Sequence, residues 1–120
     1  MAIFFSKLVT WTDIKHKMSV PSSCLKSLPC FGRGHARDIL VRDESGHVWT
    51  FRCSIRKKKP LRPVFTKGWL AFARDNNLKV GHRVIFYHEE DHVTGTHYKI
   101  EVKKAIKVFG AVLGYAPVVI

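Results

Sequence analysis

Polar and apolar residues alternate along much of this chain with a period of two, the signature of strands with one buried face. The clearest case is the run HVWTFRCSI: Trp49, Phe51, Cys53 and Ile55 share one face, and Thr50, Arg52 and Ser54 share the other. It follows DILVRD across DESGH, where Asp43, Ser45 and Gly46 supply turn chemistry, so residues 38–55 read as a hairpin. A second hairpin is predicted from RVIFYHEE and HYKIEVKK across DHVTG, with Tyr98, Ile100 and Val102 alternating against Lys99, Glu101 and Lys103. IFFSKLVT near the start is aromatic and β-branched, but its alternation is imperfect.

Two stretches carry a helical pattern instead. In VPSSCLKSLP, Ser22 can cap, Leu25 and Leu28 stand three apart and Pro29 stops the turn. In TKGWLAFARDNN, Thr66 can cap, Trp69, Phe72 and Ala73 make an i, i+3, i+4 apolar stripe, and Asn76 and Asn77 end it. The stripe reads as core. The prediction is one mainly-β domain with two short helices and no linker or repeat, and the lack of strand–helix alternation argues against a parallel α/β sheet. Residues 1–110 form that domain; the apolar tail 111–120 is either a last strand or disordered, and its ten residues are too few to span a bilayer.

Composition supports a folded domain, since 46% of the 120 residues are hydrophobic. Charge adds the functional clue. There are 21 Lys/Arg against 9 Asp/Glu, a net +12, of which +9 falls in residues 1–63. Such an excess attracts polyanions. Cys24, Cys30 and Cys53 are odd in number and form no C-x-x-C pair. They read as small buried thiols in a reducing compartment rather than as disulfides or, with His16 or His35, a zinc site. No N-terminal signal segment is legible.

Enzyme signatures are absent: there is no GxSxG, HExxH or phosphate-binding GxxxxGK, and GRGHAR at 32–37 lacks the third glycine of a dinucleotide loop. The seven scattered histidines read as surface or core residues. No enzyme activity, cofactor or metal is expected. The informative stretch is SIRKKKPLRPVFTK, with six Lys/Arg in residues 54–67. It follows an alternating strand, and Pro60 and Pro63 stiffen it, so a cationic projection anchored on a sheet is as good a reading as a solvated face. A nuclear-import role can coexist with either. TWTDIKHK, residues 10–17, is a second basic element. Taken together the two read as a two-pronged clamp on duplex nucleic acid.

The phrases FSKLVTWTDI, MSVPSSCLKSLP, ILVRDESGHVWTFR and VFTKGWLAFARDNNLKVGHRVIF, in this order and spacing, resemble the plant-specific B3-type DNA-binding domain over about residues 4–104. The resemblance implies an open seven-stranded pseudobarrel with two short helices, acting in the nucleus as the double-stranded DNA-binding part of a plant transcription factor. It implies two arms, residues 10–17 and 54–62, that enter the major groove. On that basis Arg56, Lys57, Lys15 and His16 are expected at base edges, where Arg pairs with guanine O6 and N7. Lys58, Lys59, Arg62, Lys17 and Lys67 are expected at phosphates. Thr10, Thr12 and Ser54 add hydroxyls beside them. Three positions depart from the family pattern: His82 stands where an Asp usually follows Gly81, Lys17-Met18-Ser19 replaces an Arg-Leu phrase, and Arg56–Lys59 is basic where other members carry polar or aromatic residues. Such looseness resembles the reproductive-meristem-like branch, some members of which are expected to bind DNA with little sequence preference. Two other readings stand beside this one. A basic RNA-binding or ribosome-associated domain would show aromatics interleaved with the cations, and only Trp11 does so. A protein-interaction module would use the apolar tail and HEED. No membrane role is expected.

Overall fold

In the computed structural model, residues 2–21, 24, 36–55, 63–108 and 111–117 are described. Their elements run β1 (Ala2–Leu8), α1 (Trp11–Lys15), β2 (Met18–Ser19), β3 (Ala36–Arg42), β4 (Val48–Ile55), β5 (Pro63–Phe65), α2 (Trp69–Asp75), β6 (Arg83–Asp91), β7 (Thr96–Val108) and β8 (Ala111–Pro117). Seven strands make one open sheet in the order β1-β6-β7-β3-β4-β5-β2, and β8 lies off that path against β7. The mainly-β class is as the alternation predicted.

Both hairpins form as expected. β3 and β4 pair from Ala36↔Ser54 to Arg42↔Val48, and β6 and β7 from Arg83↔Lys103 to Asp91↔Thr96. The imperfect alternation of β1 has a cause: its register against β6 shifts between Ile3 and Phe5, which lets Phe5 stack on Phe86 at 4.7 Å while Ile3 stays exposed. A short parallel contact, Val41↔Tyr98 and Arg42↔Lys99, joins the two hairpins.

The core follows the predicted faces. Phe51, Cys53, Phe65, Trp69 and Phe86 are fully buried, with Ile100 and Val102 from β7 among them. Trp49 is only half-buried, and its indole Nε1 donates to the buried Asp43 at the β3–β4 turn. Asp43 also accepts from Ser45 and from the His47 amide. These donors pull its pKa down, although burial, the largest single influence, pushes the other way.

The helices need correction. α2 carries the predicted stripe, with Trp69, Phe72 and Ala73 buried, and ends at Asn76 and Asn77, the latter at φ 49°. Thr66 does not cap it. The N-cap is Gly68 at φ 90°, and the Thr66 hydroxyl donates to the Arg52 carbonyl. Glycine is required at 68: a Cβ would collide with the Thr50 carbonyl oxygen of β4. The helix expected in 22–28 lies outside the described residues apart from Cys24. A helix not foreseen, α1, forms inside the first basic stretch. No helix among the described residues is long and apolar enough to cross a membrane.

Candidate nucleic-acid interface

The first basic stretch is a fixed turn of helix. α1 starts with a reciprocal capping box: the Thr10 hydroxyl accepts from the Asp13 amide at 3.4 Å, and the Asp13 carboxylate accepts from the Thr10 amide at 2.8 Å. At its end the amides of His16 and Lys17 both donate to the Thr12 carbonyl, at 2.9 and 3.2 Å.

Asp13 also anchors the arm to the body. It is fully buried, and Lys7 of β1 donates to it at 2.8 Å. The same ammonium reaches the Ser19 carbonyl at 2.9 Å and hydroxyl at 2.7 Å on β2. From below, the Trp69 indole donates to the Asp13 carbonyl oxygen at 2.7 Å. The base of the arm is closed by Val9, whose amide donates to the His82 carbonyl at 2.8 Å and whose carbonyl accepts from Gly81 at 3.1 Å.

His82 Nδ1 accepts from the Lys79 amide at 3.3 Å, a contact open only to the neutral ring. Desolvation first, then the Lys79 and Lys104 charges, hold the His82 pKa below its ordinary value.

This scaffold turns the arm's inner carboxylate inward and its cations outward. Thr10, Thr12, Lys15 and His16 are exposed, and Lys17 is half-buried. Lys67 is exposed just beyond β5, held there by two backbone bonds to Arg52: Arg52 N to Lys67 O and Thr66 N to Arg52 O, each 2.9 Å. Among the described residues none of Lys15, Lys17 and Lys67 has a carboxylate within ion-pairing distance. Ser54 is half-buried on β4, opposite Ala36 and Val64.

Strand register relates the two arms. Met18 pairs with Phe65 and Ser19 with Val64, and Ile55 pairs with Pro63. Lys17 and Lys67 therefore leave the sheet at one end of the β2–β5 ladder. The second arm departs from Ile55 and returns at Pro63 at the other end, about three residues or ~10 Å along the strands. Arg56, Lys57, Lys58, Lys59 and Arg62 themselves lie outside the described residues.

Sequence reasoning noted one aromatic among the cations and gave it no role. Trp11, the first residue of α1, is 59% exposed, and its ring stands edge-on to His16 with centroids 5.4 Å apart. The signal was available, since Trp11 sits in no apolar stripe. Cys24 and Cys53 are buried, and burial pushes the Cys53 thiol up to about 12, which leaves it inert at neutral pH. Among the described residues no cluster of three His, Cys, Asp or Glu could hold a metal.

Comparison with known proteins follows the same lines. The family model described as "B3 DNA binding domain" matches residues 4–105. Auxin response factor 11 of Oryza sativa subsp. indica is 37% identical over 54 residues, 45% of this chain and 6% of that protein. Auxin response factor 5 of Arabidopsis thaliana is 30% identical over 93 residues, 72% of this chain and 10% of that protein. The chain thus matches only a small part of each of these relatives. Among solved structures, the Arabidopsis FUS3–DNA complex superposes with a TM-score of 0.72 at 23% identity, covering 87% of this chain and 99% of that one. At that identity the likeness speaks for the fold.

Proposed function

Because the chain belongs to the B3 DNA binding domain family, we propose that it grips duplex DNA with two cationic arms, as the DNA-binding part of a plant nuclear transcription factor. FUS3, the structural neighbour, was solved as a DNA complex. The observation that carries the proposal is the set of cations on and beside the first arm, Lys15, Lys17 and Lys67, with no carboxylate partner among the described residues. The points where the two stretches leave the sheet lie ~10 Å apart along the strands, a spacing comparable with a major groove about 12 Å wide. Arg56 and Lys57 on one arm and Lys15 and His16 on the other are assigned to base edges. Lys17, Lys58, Lys59, Arg62 and Lys67 are assigned to phosphates, with Thr10, Thr12 and Ser54 as hydroxyl donors. No catalytic step and no cofactor belongs to this reading.

The test is duplex affinity as a function of salt. With about five to seven phosphates neutralised, log K should fall against log salt with a slope of roughly −4 to −6. Arg56 follows β4 directly in sequence; Arg56→Ala should cost about 1–3 kcal/mol and flatten preference among sequences. A slope near zero would remove nucleic acid as the partner. Tighter binding to single-stranded RNA than to duplex DNA would favour the RNA reading.

A further inference from the structure

We propose that Trp11 makes an apolar contact with thymine methyl groups in the major groove, giving the first arm a preference for thymine that its cations do not supply. The inference rests on the duplex-DNA reading above and concerns a residue outside the cationic set.

Four observations lead to it. Trp11 is 59% exposed, whereas Trp69 is fully buried and Trp49 is tied to Asp43, so Trp11 is the indole left facing outward. It is not loosely held: as N1 of a helix with a complete capping box, its backbone is fixed, and its ring leans on His16. Folding back is closed to it, because the inward positions of this single turn belong to Asp13 and Ile14. Finally, Lys15 stands one helical turn away on the same side, so the ring is presented together with an ammonium that has no carboxylate partner among the described residues.

An apolar surface delivered by cations implies a partner that is anionic yet offers an apolar group at its recognition edge. Duplex DNA meets both conditions in the major groove, where the thymine C5-methyl is the one apolar feature of the base edges. An acidic protein surface would meet the first condition, but nothing in the arm specifies a second.

The test uses the full chain and the duplexes it recovers from a random pool, each resynthesised with deoxyuridine in place of thymidine. Removing the methyl should weaken wild-type binding by about three- to fivefold per contacted thymine. Trp11→Ala should bind the two forms equally, and Trp11→Phe should keep part of the difference. In parallel, duplex should shield the acrylamide-accessible tryptophan emission of the wild type, and Trp11→Phe should lose most of that accessible component before DNA is added, the remainder coming from half-buried Trp49. Because Trp11 is exposed, thermal melts of the variants should match the wild type. Equal wild-type affinity for thymidine and deoxyuridine duplexes, with the salt slope intact, overturns the inference and leaves the DNA reading standing. An unchanged thymidine preference in Trp11→Ala also overturns it, as does stronger shielding by the single strand than by the duplex. Absence of duplex binding altogether overturns both.

Discussion

Among the described residues two parts of the surface are rich in cations, and only one of them leaves its cations without carboxylate partners. On the face built by β3, β4, β6 and β7, cations meet carboxylates. Arg42 pairs with Glu89 and lies 3.7 Å from Asp91, Arg52 pairs with Asp38, and Glu101 lies between Lys99 and Lys103 at 3.6 and 3.8 Å. On the arm, the nearest carboxylate in sequence, Asp13, is turned inward and occupied by Lys7, which leaves Lys15, Lys17 and the neighbouring Lys67 without a counter-charge among the described residues. A net charge of +12 therefore says less about binding than the placement of nine carboxylates.

The largest expected effect comes from removing the inward carboxylate. Asp13→Ala loses the capping box and leaves a mostly buried ammonium without its ion pair, which should cost about 2–4 kcal/mol of stability by denaturant titration. Asp38→Ala, which breaks an exposed pair, should cost about 0.5 kcal/mol. Equal costs would mean that Asp13 does not hold the arm.

A second experiment addresses the cations themselves. The double variant Lys17→Ala/Lys67→Ala should reduce the magnitude of the salt slope for duplex binding by about two units. Lys99→Ala/Lys103→Ala removes the same formal charge from the paired face and should change the slope by less than about half a unit. If both doubles lower the slope alike, net charge governs binding and the contrast between the two faces fails.

The smallest effect concerns the turn under the arm. The folded state holds the pKa of His82 below its ordinary 6.5, so it prefers the neutral ring more strongly than the unfolded chain does. That contribution to stability is complete above the unfolded value and is lost as the pH falls below it through the depressed folded value. Thermal melts should therefore show a lower Tm at about pH 5.5 than at pH 7.5. In His82→Asp a carboxylate would sit near Lys79 and Lys104, adding about 0.5 kcal/mol and flattening the dependence over that window. An unchanged pH dependence in His82→Asp would show that another group sets it.

What the sequence disclosed, and what it hid, follows from the range of the forces involved. Alternation along β4 and β7 and the stripe of α2 are local patterns repeated over several residues, so the buried faces of Phe51, Cys53, Ile100, Val102, Trp69 and Phe72 were legible. α1 has five residues and no apolar stripe. Its only signal was Thr10 and Asp13 three apart, a spacing that also suits an ordinary turn. Thr66 looked like a cap because nothing local reveals that the Thr50 carbonyl of β4 presses on residue 68. The basic character of the arms was plain. The pairing of Lys7 with Asp13 and the register that sets β2 on β5 depend on distant segments meeting, and no reading of spacing supplies them.

The closure of the arm's base has a kinetic consequence. Val9 is held by His82 and Gly81, and β1 lies on β6, where the Arg83 guanidinium reaches the Ser6 hydroxyl across 77 residues of chain. Local hairpins such as β3–β4 can form in microseconds, whereas closing so long a loop carries an entropic cost before any contact offsets it. On a ribosome, Lys15 and His16 would emerge well ahead of β6 and wait for it. The arm precedes most of the sheet in sequence, yet it should be among the last parts of the domain to take its final shape.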